Sequence, residues 1–107
     1  MPTWVDAVGF EDVPEGEVKG VKLGDQFVAL YRLDGQIYAT SDVCTHEFAL
    51  LSGGWVDGCE IECPLHGTRF SIKDGLCLGP FGHDLPCYQA RVRHDRIEVA
   101  LLPKERE

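Results

Sequence analysis

Two short motifs, Cys44-Thr45-His46 and Cys63-Pro64-Leu65-His66, stand with sixteen residues between them and bring together two thiols and two imidazoles. Thiolate and imidazole donors bind transition metals rather than hard, oxygen-seeking cations. Two kinds of centre suit such a set. One is a tetrahedral structural zinc held by all four groups. The other is a two-iron, two-sulfide cluster in which one iron takes both sulfurs and the other both nitrogens. Zinc ligands often come as Cys-x2-Cys with a downstream histidine pair. Mixed Cys-x-His and Cys-x-x-His loops, with Gly67 and a later Gly79-Pro80, fit the iron-sulfur pattern better. The expected centre is therefore a redox centre, with Cys44, His46, Cys63 and His66 as its ligands.

The likeness reaches beyond the ligands. Ala29-Leu30-Tyr31 through Ile37-Tyr38-Ala39-Thr40, the run Gly53-Gly54-Trp55, Pro64 and Gly67 around the second motif, and Asp74-Gly75 followed by Gly79-Pro80 resemble the Rieske ferredoxins. Those proteins feed electrons to bacterial aromatic-ring-hydroxylating oxygenases. The resemblance covers nearly the whole chain and implies a small all-β, antiparallel sandwich or barrel, with two cluster-binding loops at one tip and a third, proline-bearing loop covering them. It implies one Rieske-type 2Fe-2S cluster on Cys44, His46, Cys63 and His66. It also implies an electron carrier, not itself an enzyme, that takes electrons from a flavin-containing NAD(P)H-dependent ferredoxin reductase and delivers them to a terminal oxygenase. Residues 1–107 are expected to form a single domain, without room for a separate mononuclear-iron domain. A second reading makes the chain the small subunit of a fixed complex such as a nitrite reductase, although a purely structural module has no need of four ligands. A third makes it a zinc-stabilised interaction module.

Exchanging two thiolates for two neutral imidazoles removes two negative charges from the cluster, so an added electron is better tolerated and the potential rises. The electron should settle on the histidine-bound iron, because neutral nitrogen stabilises the ferric state less than thiolate does. That makes His46 and His66 the expected electron port, since an imidazole binding iron through one nitrogen still offers the other to a partner or to water. Reduction should raise the pKa of these histidines, and the potential should fall with pH once the oxidised form loses an imidazole proton. Respiratory Rieske proteins tie the two loops with a disulfide and place a serine and a tyrosine where their hydroxyls reach the cluster sulfurs. The matching positions here are Ala49 and Leu65, and Thr68 and Phe70. With at most one hydroxyl left, the potential is expected toward the lower end of the Rieske range of about −150 to +300 mV.

Eighteen acidic and ten basic residues give a net charge of −8, which disfavours nucleic acid and anionic lipid and favours basic protein surfaces. Residues 1–62 carry a net −9 and residues 63–107 a net +1, so an acidic docking face should draw on the first part. No run is long and apolar enough to span a membrane, and the start Met1-Pro2-Thr3-Trp4 lacks a signal-peptide layout. Five cysteines, an odd number, argue for metal ligation in a reducing compartment rather than a disulfide framework. A cytoplasmic monomer is expected.

Alternation of period two dominates: Cys59, Ile61 and Cys63; Tyr88, Ala90 and Val92; Ile97 and Val99. Residues 27–33 are apolar on both sides, as in a central strand buried on both faces. Asp34-Gly35 and Asp57-Gly58 read as hairpins, Pro14-Glu15-Gly16 and Asp74-Gly75 as further turns, and His94-Asp95 as a hairpin tip. Residues 44–51 and 64–68 should be loops at one end. Cys59, four residues before Cys63 on the same face, would lie roughly 13 Å away and out of reach of its iron. Cys77 and Cys87 read as small buried hydrophobes, and Trp4, Trp55, Tyr31 and Tyr38 as core. Phe48 and Phe81 would ring the histidines or shield the cluster. Glu47 and His83 read as loop charges, His83 pairing with a neighbouring carboxylate or lining an electron exit.

Overall fold

The computed structural model describes residues 3–45, 49–65, 67–80 and 82–103. They form two antiparallel sheets. The larger contains β1 (Trp4–Gly9), β2 (Val18–Leu23), β3 (Gln26–Leu33), β4 (Gln36–Ser41), β8 (Cys87–Arg93) and β9 (Arg96–Pro103), in the order β1-β9-β8-β4-β3-β2. Its edge strands β1 and β2 approach one another, so the sheet curls into a nearly closed barrel. The smaller sheet is β5 (Trp55–Asp57), β6 (Glu60–Glu62) and β7 (Arg69–Ser71) in chain order. Two short 3-10 turns, Phe10–Asp12 and Leu51–Gly53, are the only helical segments among the described residues, and no helix there is long and apolar enough to cross a membrane.

The unbroken apolar run of β3 has a specific cause. Val28 and Leu30 pack with Leu23, Ala39, Ile97 and Val99 inside the barrel. Ala29, Tyr31 and Leu33 point the other way, into a second core with Leu51, Ile61, Phe70, Ile72 and Leu85 that the small sheet covers. One strand thus serves two cores, and each fully buried large side chain contributes about 1.5–3 kcal/mol. The strand is paired on both sides, with β2 and β4, yet lies next to the edge rather than at the centre of the sheet. Inside the second core the Tyr31 hydroxyl donates to Thr40 Oγ1 (2.9 Å), which donates in turn to the Ser41 carbonyl (2.9 Å). Burial pushes the Tyr31 phenol well above its ordinary pKa.

Turn chemistry sets the strand registers. Asp34 and Gly35 both take positive φ (52° and 77°) between paired Leu33 and Gln36, as a tight hairpin requires. His94 and Asp95 do the same (50° and 64°) between Arg93 and Arg96, without a glycine. The Asp57-Gly58 hairpin differs from expectation: Asp57 pairs with Glu60, so the turn residues are Gly58 and Cys59, and only Gly58 has positive φ. Cys59 therefore sits at an exposed apex instead of sharing the buried face of Ile61 and Cys63.

Trp55 is 59 % exposed and is not a core residue. Its outward phase on β5 places it across from Glu62 while Val56 points into the core. Trp4 is half-buried, with the Arg91 guanidinium 4.1 Å from its ring. Tyr38 is half-buried against the second core and Tyr31 fully buried. Cys87 is buried as expected, whereas Cys77 is only partly so.

Candidate metal centre

Both cysteine motifs begin where a strand ends. Cys44 comes three residues after β4, and its amide donates to the carbonyl of Ala49 (2.9 Å), beside a bridge between Val43 and Leu50. Cys63 directly follows β6, and its amide donates to the carbonyl of Thr68 (2.8 Å). Each cysteine thus closes its own loop onto the residue five positions later. In the second loop the Gly67 amide also donates to the Cys63 carbonyl (3.1 Å), with Gly67 at φ 74°, a conformation that favours glycine.

The loops bury the two thiols in the same core. Cys44 is 3 % and Cys63 2 % exposed, both belong to the core of Leu51, Ile61, Phe70 and Leu85, and neither forms a disulfide. Two reduced thiols from separate loops, buried in one apolar core, match the sulfur half of a mixed donor set for iron. The residues present fit such a group. His46 and His66, the expected nitrogen donors, lie outside the described residues, as do Glu47, Phe48 and Phe81.

Three anchors that local sequence patterns do not reveal hold these loops. Asp42, buried at the base of the first loop, accepts from the Ser52 amide (2.6 Å) and hydroxyl (2.7 Å), while its own carbonyl accepts from Leu51 (2.7 Å). Burial raises the carboxyl of Asp42 above the usual carboxylate range, against the opposing effect of the Ser52 bonds. Gly20 lets β2 pass this pair: a Cβ there would lie 2.4 Å from Ser52 Oγ and 2.6 Å from an Asp42 carboxylate oxygen.

The second anchor is on the small sheet. Arg69, next to Thr68, bonds Glu62 (2.9 Å), Glu60 (3.0 Å) and Asp57 (3.1 Å) across its outer face, and the bonds from Glu60 and Asp57 raise the guanidinium pKa. Alternating charge at positions 57, 60, 62 and 69 signals an outward face, but not that all four side chains meet on one.

The third anchor ties the first motif to the loop around His83. Thr45 Oγ1 accepts from the His83 amide (2.8 Å) and donates to the His83 carbonyl. His83 is exposed, and its neighbour Asp84 takes the Cys77 amide (2.7 Å).

The fold and the two buried thiols define an iron-sulfur β domain. The Rieske 2Fe-2S domain family model matches residues 3–89, and the chain belongs to that family, whose Rieske-type 2Fe-2S cluster is its cofactor. Among relatives, it is 43 % identical over 99 residues to the ferredoxin component of the naphthalene 1,2-dioxygenase/salicylate 5-hydroxylase systems of a Ralstonia species, covering 92 % of this chain and 95 % of that one. The solved complex of reduced oxygenase and oxidized ferredoxin in carbazole 1,9a-dioxygenase contains a chain of the same fold (TM-score 0.89, 33 % identity, 99 % of this chain and 100 % of that one). A putative NADH-dependent nitrite reductase small subunit from Mycobacterium tuberculosis is also similar (TM-score 0.84, 31 % identity, 97 % and 99 % covered).

Proposed function

We propose that this protein is a one-electron carrier to a terminal oxygenase of aromatic-ring hydroxylation, with its cluster held by Cys44, His46, Cys63 and His66. The observation that carries this reading is that Cys44 and Cys63, from loops closed by equivalent hydrogen bonds, are both buried in one core. The cysteines would hold one iron away from water, and the histidines would hold the other and serve as the electron port. Bound there, the cluster supplies reversible uptake of a single electron. The dioxygenase relatives support an oxygenase as acceptor. The donor is a flavin-containing NAD(P)H-dependent reductase, and residues 1–107 act as a single cytoplasmic domain, monomeric so that one tip meets both partners in turn. The strongly acidic first part of the chain suits brief, salt-sensitive encounters with basic surfaces.

Anaerobic purification tests this. Iron and acid-labile sulfide should be present in equal amounts, with a rhombic paramagnetic signal on reduction that Cys44→Ser and Cys63→Ser abolish. Stoichiometric zinc in a colourless protein would overturn it. The likeness to a nitrite reductase small subunit favours a second reading, a fixed subunit, and copurification with a large partner would select it.

A further inference from the structure

We infer that Thr45 is the positioning residue that latches the covering loop onto the first ligand loop. This rests on the cluster assignment above. Thr45 lies between two proposed ligands, Cys44 and His46. Its hydroxyl spans both backbone groups of His83, accepting from the amide and donating to the carbonyl, across 38 positions of sequence. A hydroxyl is the smallest side-chain group that can do both at once.

The same stretch of chain is also fastened to β7 and to the segment that follows it. Asp84 receives the Cys77 amide (2.7 Å), the Leu85 amide donates to Gly75 (2.7 Å) and the Leu78 amide to Arg69 (2.8 Å). Among the described residues, Thr45 makes the hydrogen bonds that join Gly82–Asp84 to the first ligand loop. Release of this latch frees the loop from the Cys44 side while its Asp84 and Leu85 attachments persist. Water and small solutes then gain a path to the cluster without any change in its ligands.

Holoprotein variants Thr45→Val and Thr45→Ser test the role. Valine keeps the shape and removes the hydroxyl; serine keeps the hydroxyl. In hydrogen-deuterium exchange, the peptide spanning residues 79–85 should exchange about tenfold faster at one amide in Thr45→Val and at the native rate in Thr45→Ser. The half-life of the visible absorbance in the presence of an iron chelator should shorten several-fold in Thr45→Val and recover in Thr45→Ser. Unchanged exchange and chelator half-life in a cluster-loaded Thr45→Val protein would overturn the latch and leave the cluster assignment standing. Equal failure of Thr45→Ser would show that shape rather than the hydroxyl matters, and would also overturn it. Absence of a cluster from the unmodified protein would instead sink the assignment itself.

Discussion

A Cβ on Gly54 would lie 1.9 Å from the carbonyl oxygen of Glu62, a contact with backbone that no rotamer change can relieve. Gly54 directly precedes Trp55, which pairs with Glu62 at the start of the small sheet, and Glu62 leads directly into Cys63. The loop that Cys63 opens therefore depends on a glycine nine positions before it. Gly54→Ala is expected to destabilise the protein by on the order of 3 kcal/mol, read from chemical unfolding. Gly53→Ala should change stability little, because its Cβ would meet Pro64 at an ordinary 3.8 Å.

Tyr31 makes stability depend on pH at the alkaline end. Its phenol is fully buried and donates to Thr40, and burial raises its pKa above the ordinary 10. In the unfolded chain it ionises near 10 while the native state keeps its proton, so stability is intact below that pH and declines as pH rises beyond it. The slope attributable to this residue is about 1.4 kcal/mol per pH unit. Denaturant melts from pH 9 upward should show a shallower decline in Tyr31→Phe, with a loss of about 1 kcal/mol at neutral pH for the missing hydrogen bond.

Asp6 acts at the acid end. Arg96 holds it through two bonds (3.0 and 2.6 Å) joining β1 to β9, and the hydrogen bond lowers the Asp6 pKa below its ordinary 3.8. The paired carboxylate stabilises the fold above the unfolded value and loses that contribution as pH falls through the folded one. Asp6→Asn should therefore leave a melt at pH 3 closer to its own neutral-pH melt than the parent protein's is. Because the pair is exposed, added salt should narrow the difference.

Phe70 is fully buried in the core that holds Cys44 and Cys63, and it has no hydroxyl to offer a cluster sulfur. The midpoint potential is expected below zero, within the Rieske range of about −150 to +300 mV. Phe70→Tyr should raise it: one hydrogen bond of about 1 kcal/mol corresponds to roughly 40 mV for a one-electron couple. A redox titration of both proteins, followed by the paramagnetic signal, measures the shift.

Local patterns in the amino-acid sequence carry their own geometry. Asp34-Gly35 takes the positive angles its composition demands, and the alternation around Ile61 and Ile97 places both in a core. Side-chain partners across the fold leave no such local mark. Trp55 reads as core because it is large and apolar, yet its phase on a three-residue strand turns it to solvent. A strand that short offers too few alternations to establish phase. Cys59 departs from its expected face for a related reason, since the turn takes it out of the strand.

The two cysteine-histidine motifs with their spacing, the acidic balance and the β character can all be read from the amino-acid sequence, because each is a property of composition or of neighbours along the chain. The division of β3 between two cores, the burial of Cys44 and Cys63 in the same core, the Asp42-Ser52 base and the Thr45 latch on His83 arise only when the chain closes on itself. Such contacts join residues far apart in sequence, and their partners are chosen by strand register and loop closure rather than by local preference.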